Sequence, residues 1–127
     1  MKKIGLYLVI MTLSVIFWRC DPDRYYDYFI INSCDEKIEV IFEIRYGSHP
    51  EIVKINPNIT QLVHSNEIPQ PIIDDRIEYF FEKITIVKGT DTSKVNYVDK
   101  DLWEFKKISK NHAESYLTVR PEDFENE

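Results

Sequence analysis

Residues 38–46 set the strongest constraint on the fold. Ile38, Val40, Phe42, Ile44 and Tyr46 alternate with Glu39, Ile41, Glu43 and Arg45, the period of two expected for a strand with one buried and one wet face. A strand of this kind must bury its apolar side against a second layer, so a lone sheet is excluded and a packed β architecture is expected.

The flanking segments repeat the pattern. Residues 26–32 are rich in aromatic and β-branched side chains, and residues 33–36 are polar turn formers, so 26–32 and 38–46 read as an antiparallel hairpin. Gly47, Pro50, Asn56, Pro57 and Asn58 punctuate two shorter apolar stretches at 52–55 and 59–64. Strands separated by Pro and Asn turns at this spacing indicate a sandwich or barrel, not alternating strand and helix units.

Residues 65–75, with Pro69 and Pro71, read as a long surface loop. The next segment satisfies two patterns, so a short helical turn at 76–81 leading into a strand at 83–88 is expected, with Asp74 or Asp75 as its cap. A turn at 89–93, a return strand at 94–98, a short helix at 99–107 and a final strand at 115–120 complete the chain. The expected fold is a mainly β, antiparallel sandwich of about seven strands with one or two short helical excursions, followed by a fraying acidic tail at 121–127.

The N-terminus has a different character. Lys2 and Lys3 precede an apolar run over residues 4–18, and Cys20 follows it closely. Positive charge, apolar run and cleavage region in this order read as an export signal. The run is too short for the roughly 20 residues of a spanning helix. Residues 1–19 are therefore expected to be a signal peptide, 20–25 an anchor cysteine with its tether, and 26–120 the folded domain.

Cys20, one residue beyond the run, resembles the lipid-attachment cysteine of bacterial lipoproteins. Phe17, Trp18 and Arg19 depart from the small residues usual before that cysteine, which bears on processing and not on export. Cys34 has two readings: a buried, inert thiol if Cys20 is acylated, or a disulfide partner of Cys20 if it is not. Asp21 and Asp23 after the cysteine resemble the surface-export signal of Bacteroidota-type lipoproteins. The aromatic start (Tyr25, Tyr26, Tyr28), the Phe80–Phe81 pair before Ile84 and Ile86, Leu102–Trp103 and the closing 116–119 strand resemble the same group. That resemblance implies a single immunoglobulin-like or transthyretin-like sandwich in the cell envelope, as an outer-membrane lipoprotein on either the periplasmic or the outer side. It transfers no catalytic residue.

Chemistry is sparse. The net charge of −6, more negative once Lys2, Lys3 and Arg19 are removed, disfavours nucleic acid and anionic headgroups. His49, His64 and His112 form no metal-binding spacing, and no metal or other cofactor is expected. Three glycines leave no phosphate cradle. No nucleophile turn is present. The carboxylate pairs Asp74–Asp75, Asp99 with Asp101, and Glu122–Asp123 are the residues on which a small envelope hydrolase would depend. The preferred reading is a non-catalytic binding or structural module, lipid-anchored to the membrane, with an envelope protein or a glycan as partner. Tyr25, Tyr79, Tyr97 and Trp103 are the candidate contact residues, because aromatic side chains serve both cores and wet interfaces.

Overall fold

The computed structural model describes residues 24–125 apart from residue 48. The expected signal peptide, Cys20 and its acylation lie outside the described residues. Eight strands follow in order: β1 (Arg24–Asn32), β2 (Ile38–Ile44), β3 (Glu51–Ile55), β4 (Thr60–Ile68), β5 (Phe81–Lys88), β6 (Asp91–Thr92), β7 (Trp103–Ser109) and β8 (His112–Val119). A single helical turn, α1 (Ile77–Phe80), precedes β5. Short 3-10 turns occupy Lys100–Leu102 and Pro121–Phe124.

The strands form two four-stranded sheets, β4-β1-β8-β7 (sheet A) and β3-β2-β5-β6 (sheet B). Period-two burial explains their stacking. Tyr26, Tyr28 and Ile30 on β1 and Ala113, Leu117 and Val119 on β8 turn inward from sheet A, while Ile38, Val40, Phe42, Ile84 and Ile86 turn inward from sheet B. Tyr28 stands edge-on to Phe81 and Trp103, with ring centroids 5.1 and 5.7 Å away, an arrangement worth about 0.5–1.5 kcal/mol per pair beyond burial. The fold is thus the expected sandwich, with eight strands.

Two expectations about connectivity are corrected. β1 and β2 are not a hairpin: they lie in different sheets, because both have inward faces that must cover each other across the core. Nor is every pair antiparallel, since the first and last strands pair in parallel, Tyr25 opposite His112 and Asn32 opposite Val119.

Asn32, fully buried, organises the corner where the chain changes sheets. Its side-chain amide donates to the carbonyls of Glu36 (2.9 Å) and Ile55 (3.0 Å), and its Oδ1 accepts from the Cys34 amide (2.9 Å). Its backbone carbonyl accepts from Asn58, and its amide donates to Ile59. Asn58 has φ +60, a left-handed conformation that asparagine tolerates better than most side chains. Both crossovers, β1 to β2 and β3 to β4, are fastened at this one residue.

Five local expectations also change. Residues 24 and 25, expected in the tether, begin β1, and residues 65–68, expected in the surface loop, extend β4, because the two stretches pair with each other, Arg24 opposite Ile68. Residues 94–98 are not a strand; only Asp91–Thr92 returns against β5. The expected helix at 99–107 is limited to the 3-10 turn, after which β7 pairs with β8. The start of the acidic tail packs instead of fraying: Phe124 is buried, and Asp123 Oδ2 accepts from the Tyr97 hydroxyl (3.2 Å) and the Arg120 amide (3.1 Å). Cys34 is a buried thiol whose Sγ lies 3.9 Å from the Val119 carbonyl oxygen, and burial raises its pKa. No helix among the described residues is long and apolar enough to cross a membrane.

Candidate functional site

The segment 69–80 closes the sandwich beneath the first half of β1. Ile72, Ile77 and Phe80 enter the core, and the Phe80 ring lies 5.7 Å from Tyr26 and 6.0 Å from Tyr28. With these three buried, Asp74, Glu78 and Tyr79 are exposed, while Asp75 and Arg76 are half-buried. Asp74, Asp75, Arg76, Glu78 and Tyr79, with Lys100 from the 3-10 turn, line a cleft of about 410 Å3.

Local chemistry fixes the cleft. Asp75 Oδ1 accepts from the Ile77 amide (3.0 Å) and so satisfies a free donor at the start of the helical turn, but the N-cap position is Arg76, without a side-chain cap bond, and not Asp74 or Asp75. The other Asp75 oxygen is buried, and the hydroxyl of Ser115 on β8 also acts on this carboxylate. Burial pushes the Asp75 carboxyl above the usual carboxylate range; the Ile77 N–H opposes this and the neighbouring Asp74 adds to it. Asp74 is exposed and pairs with Arg76 at 3.7 Å.

An aromatic wall stands beside these charges. Arg45, at the end of β2, donates its amide to the Phe80 carbonyl (2.9 Å) and its guanidinium to the Glu78 carbonyl (3.1 and 3.3 Å). These bonds hold the following residue, Tyr46, against α1, with its ring 6.1 Å from that of Tyr79. Tyr46 is 78 % and Tyr79 50 % exposed, and the Arg76 guanidinium sits 5.7 Å over the Tyr79 ring. Gly47 completes the turn by donating to the Ile44 carbonyl (3.0 Å). A Cβ there would stand 3.1 Å from the Ile44 Cβ, closer than such atoms usually come.

The four aromatics expected at a binding surface are therefore divided. Tyr79 is in this wall. Tyr25 is exposed on the outer face of sheet A, opposite the side from which Tyr26 meets Phe80. Tyr97 and Trp103 are 1 % and 6 % exposed and cannot offer a stacking face. Their polar atoms are used inside: Trp103 Nε1 donates to the Tyr97 carbonyl (2.7 Å), and the Tyr97 hydroxyl to Ser93 Oγ (2.7 Å). Tyr46, which the sequence placed on the buried face of a strand, is the residue that alternation missed; Gly47 was the signal that the chain turns there.

The remaining candidates are also placed. Asp99 Oδ1 caps the 3-10 turn by accepting from the Asp101 amide (3.0 Å). His49 is exposed beside a smaller cavity with Glu43, Arg45 and Glu82, and His64 packs against Phe81 (5.2 Å) and Phe42 (6.0 Å). His112 lies 2.8 Å from Asp27, and these two with Glu114 are a group that could hold a metal ion. Comparison with protein-family models, curated proteins and solved structures finds no match for the chain.

Proposed function

We propose that this is an exported, lipid-anchored cell-envelope protein whose sandwich is a non-catalytic binding module, and that the α1 cleft takes a glycan. The export reading rests on Lys2, Lys3, the apolar run and Cys20. The glycan reading rests on one observation above others, the exposed Tyr46–Tyr79 pair flanking a charged cleft. Sugar rings carry polarised C–H faces that lie against the electron-rich face of an aromatic ring. Their hydroxyls need fixed donors and acceptors at the rim, the small set of placed polar groups common to ligand sites. Asp74 and Glu78 supply acceptors; Arg76 and Lys100 supply donors.

Titration of the full-length protein against soluble envelope glycan fragments tests this reading. Tyr79→Ala should weaken binding at least about tenfold, a loss of about 1.4 kcal/mol, without changing the circular dichroism spectrum. Unchanged affinity, or no binding to any fragment, overturns it. The intact mass of protein recovered from membranes should show a lipid increment on Cys20.

The burial that raises the Asp75 pKa favours a second reading, an envelope hydrolase with Asp75 as its acid. That reading requires fragments to be cut during the titration and cleavage to vanish in Asp75→Asn while binding persists. A non-catalytic module leaves every fragment intact.

A further inference from the structure

The parallel pairing of β1 and β8 creates a second group of polar side chains, on the outer face of sheet A. Asp27 stands opposite Glu114, and His112, two residues before Glu114, shares its face. Asp27 Oδ2 and His112 Nε2 are 2.8 Å apart. One donor atom from each of Asp27, His112 and Glu114 lies within 4.8 Å of the other two, and all three residues are half-buried. The group stands on paired strands at the centre of a sheet, where side-chain directions are set by the backbone.

Its surroundings favour a bound cation over a simple ion pair. Lys106 on β7 is the register partner of Glu114 and would be its natural counter-ion. Yet its ammonium group lies 3.6 Å from Glu104 and 5.1 Å over the Tyr116 ring. Glu114, which also has the Tyr116 hydroxyl as a hydrogen-bond partner, converges with a second carboxylate, Asp27, around one imidazole. Ser65 on β4 donates its hydroxyl to the other oxygen of Asp27, the outer-shell hydrogen bond that typically orients a metal-binding carboxylate.

We infer that Asp27, His112 and Glu114 form a three-ligand site for a divalent transition cation of the Zn2+ type. One imidazole and two carboxylates make a borderline nitrogen–oxygen donor set, suited to Zn2+ or its Co2+ substitute, and too small for the six to eight oxygens of Ca2+. Metal–ligand distances of about 2.0–2.2 Å place tetrahedral donors roughly 3.5 Å apart. The existing separations, 2.8 Å between Asp27 and His112 and none above 4.8 Å, bracket that value. A fourth position is left for water or an outside oxygen ligand. The site is separate from the α1 cleft and does not depend on the glycan reading.

Titration of tag-free, full-length protein with Co2+ and Zn2+ tests the inference. Co2+ should give a ligand-field spectrum without thiolate charge transfer, and Zn2+ should displace it. His112→Ala and Glu114→Gln should each weaken Zn2+ at least about tenfold, whereas Cys34→Ser should leave it unchanged. Because His112 and Glu114 are not core residues, their variants should keep the parent's circular dichroism; if His112→Ala fails to fold, Glu114→Gln alone decides. Absence of a Co2+ spectrum, thiolate bands, or Zn2+ affinity that survives both substitutions overturns the site.

Discussion

Asp75 does two things with one carboxylate. One oxygen accepts from the Ile77 amide at the start of α1 and the other is buried in the wall of the cleft. The consequence is a stability that depends on pH with a definite sign. Burial raises the folded-state pKa above that of the unfolded chain, so the folded protein binds the proton more tightly. The contribution is complete below the unfolded value of about 4 and is lost as pH rises through the folded one, where ionisation must occur against burial. Asp75→Asn keeps an oxygen for the Ile77 amide but has no charge to lose. Urea denaturation across pH 4 to 7 should therefore show the parent losing stability relative to Asp75→Asn as pH rises. A difference that moves the other way would mean that the Ile77 and Arg76 N–H groups and the Ser115 hydroxyl stabilise the ionised carboxylate more than burial penalises it.

Elements were legible where a local period decided them and illegible where a distant partner did. Alternation located β2 and β5, and Pro and Asn turns bounded β3. The same kind of pattern misled at 99–107, where Leu102, Phe105 and Ile108 fall at helical intervals although Leu102 and Ile108 are exposed. What decides that stretch is the need of β8 for an antiparallel neighbour, met from Trp103 onward. The aromatic members of the candidate site were half legible for a related reason. Composition marked the Tyr and Trp residues, but only folding shows that Tyr97 and Trp103 have internal hydrogen-bond partners and that Tyr46 has left its strand. The Tyr97 hydroxyl joins Ser93 Oγ to Asp123 and so ties the β6–β7 connection to the C-terminal 3-10 turn. Tyr97→Phe should cost about 1 kcal/mol and accelerate amide hydrogen exchange at residues 120–125 while leaving the strands protected. Uniform loss of protection would show that the hydroxyl supports the whole sandwich.

At the scale of the whole molecule, the sandwich class was readable from strand periodicity, but the pairing of the first strand with the last was not. No local signal distinguishes a parallel neighbour some ninety residues away from a sequence-adjacent hairpin. The same pairing builds the Asp27–His112–Glu114 group, which explains why a search for metal-ligand spacing within the sequence passed over it. It also makes β8 the strand on which sheet A depends, since β8 lies between β1 and β7. A chain ending at residue 111 would leave β1 with β4 alone and β7 with no partner. Such a chain should show no cooperative thermal transition, because the inward face supplied by Ala113, Leu117 and Val119 is missing from the core. A chain ending at residue 120 retains all eight strands and gives up Phe124 and the Asp123 hydrogen bonds. It should melt cooperatively with a loss of about 2–4 kcal/mol, the scale of one buried phenylalanine and its neighbouring bonds. The contrast between the two truncations, read by circular dichroism, separates a fold closed by its last strand from one whose last strand only decorates it. A cooperative transition in the shorter chain would refute the central place assigned to β8.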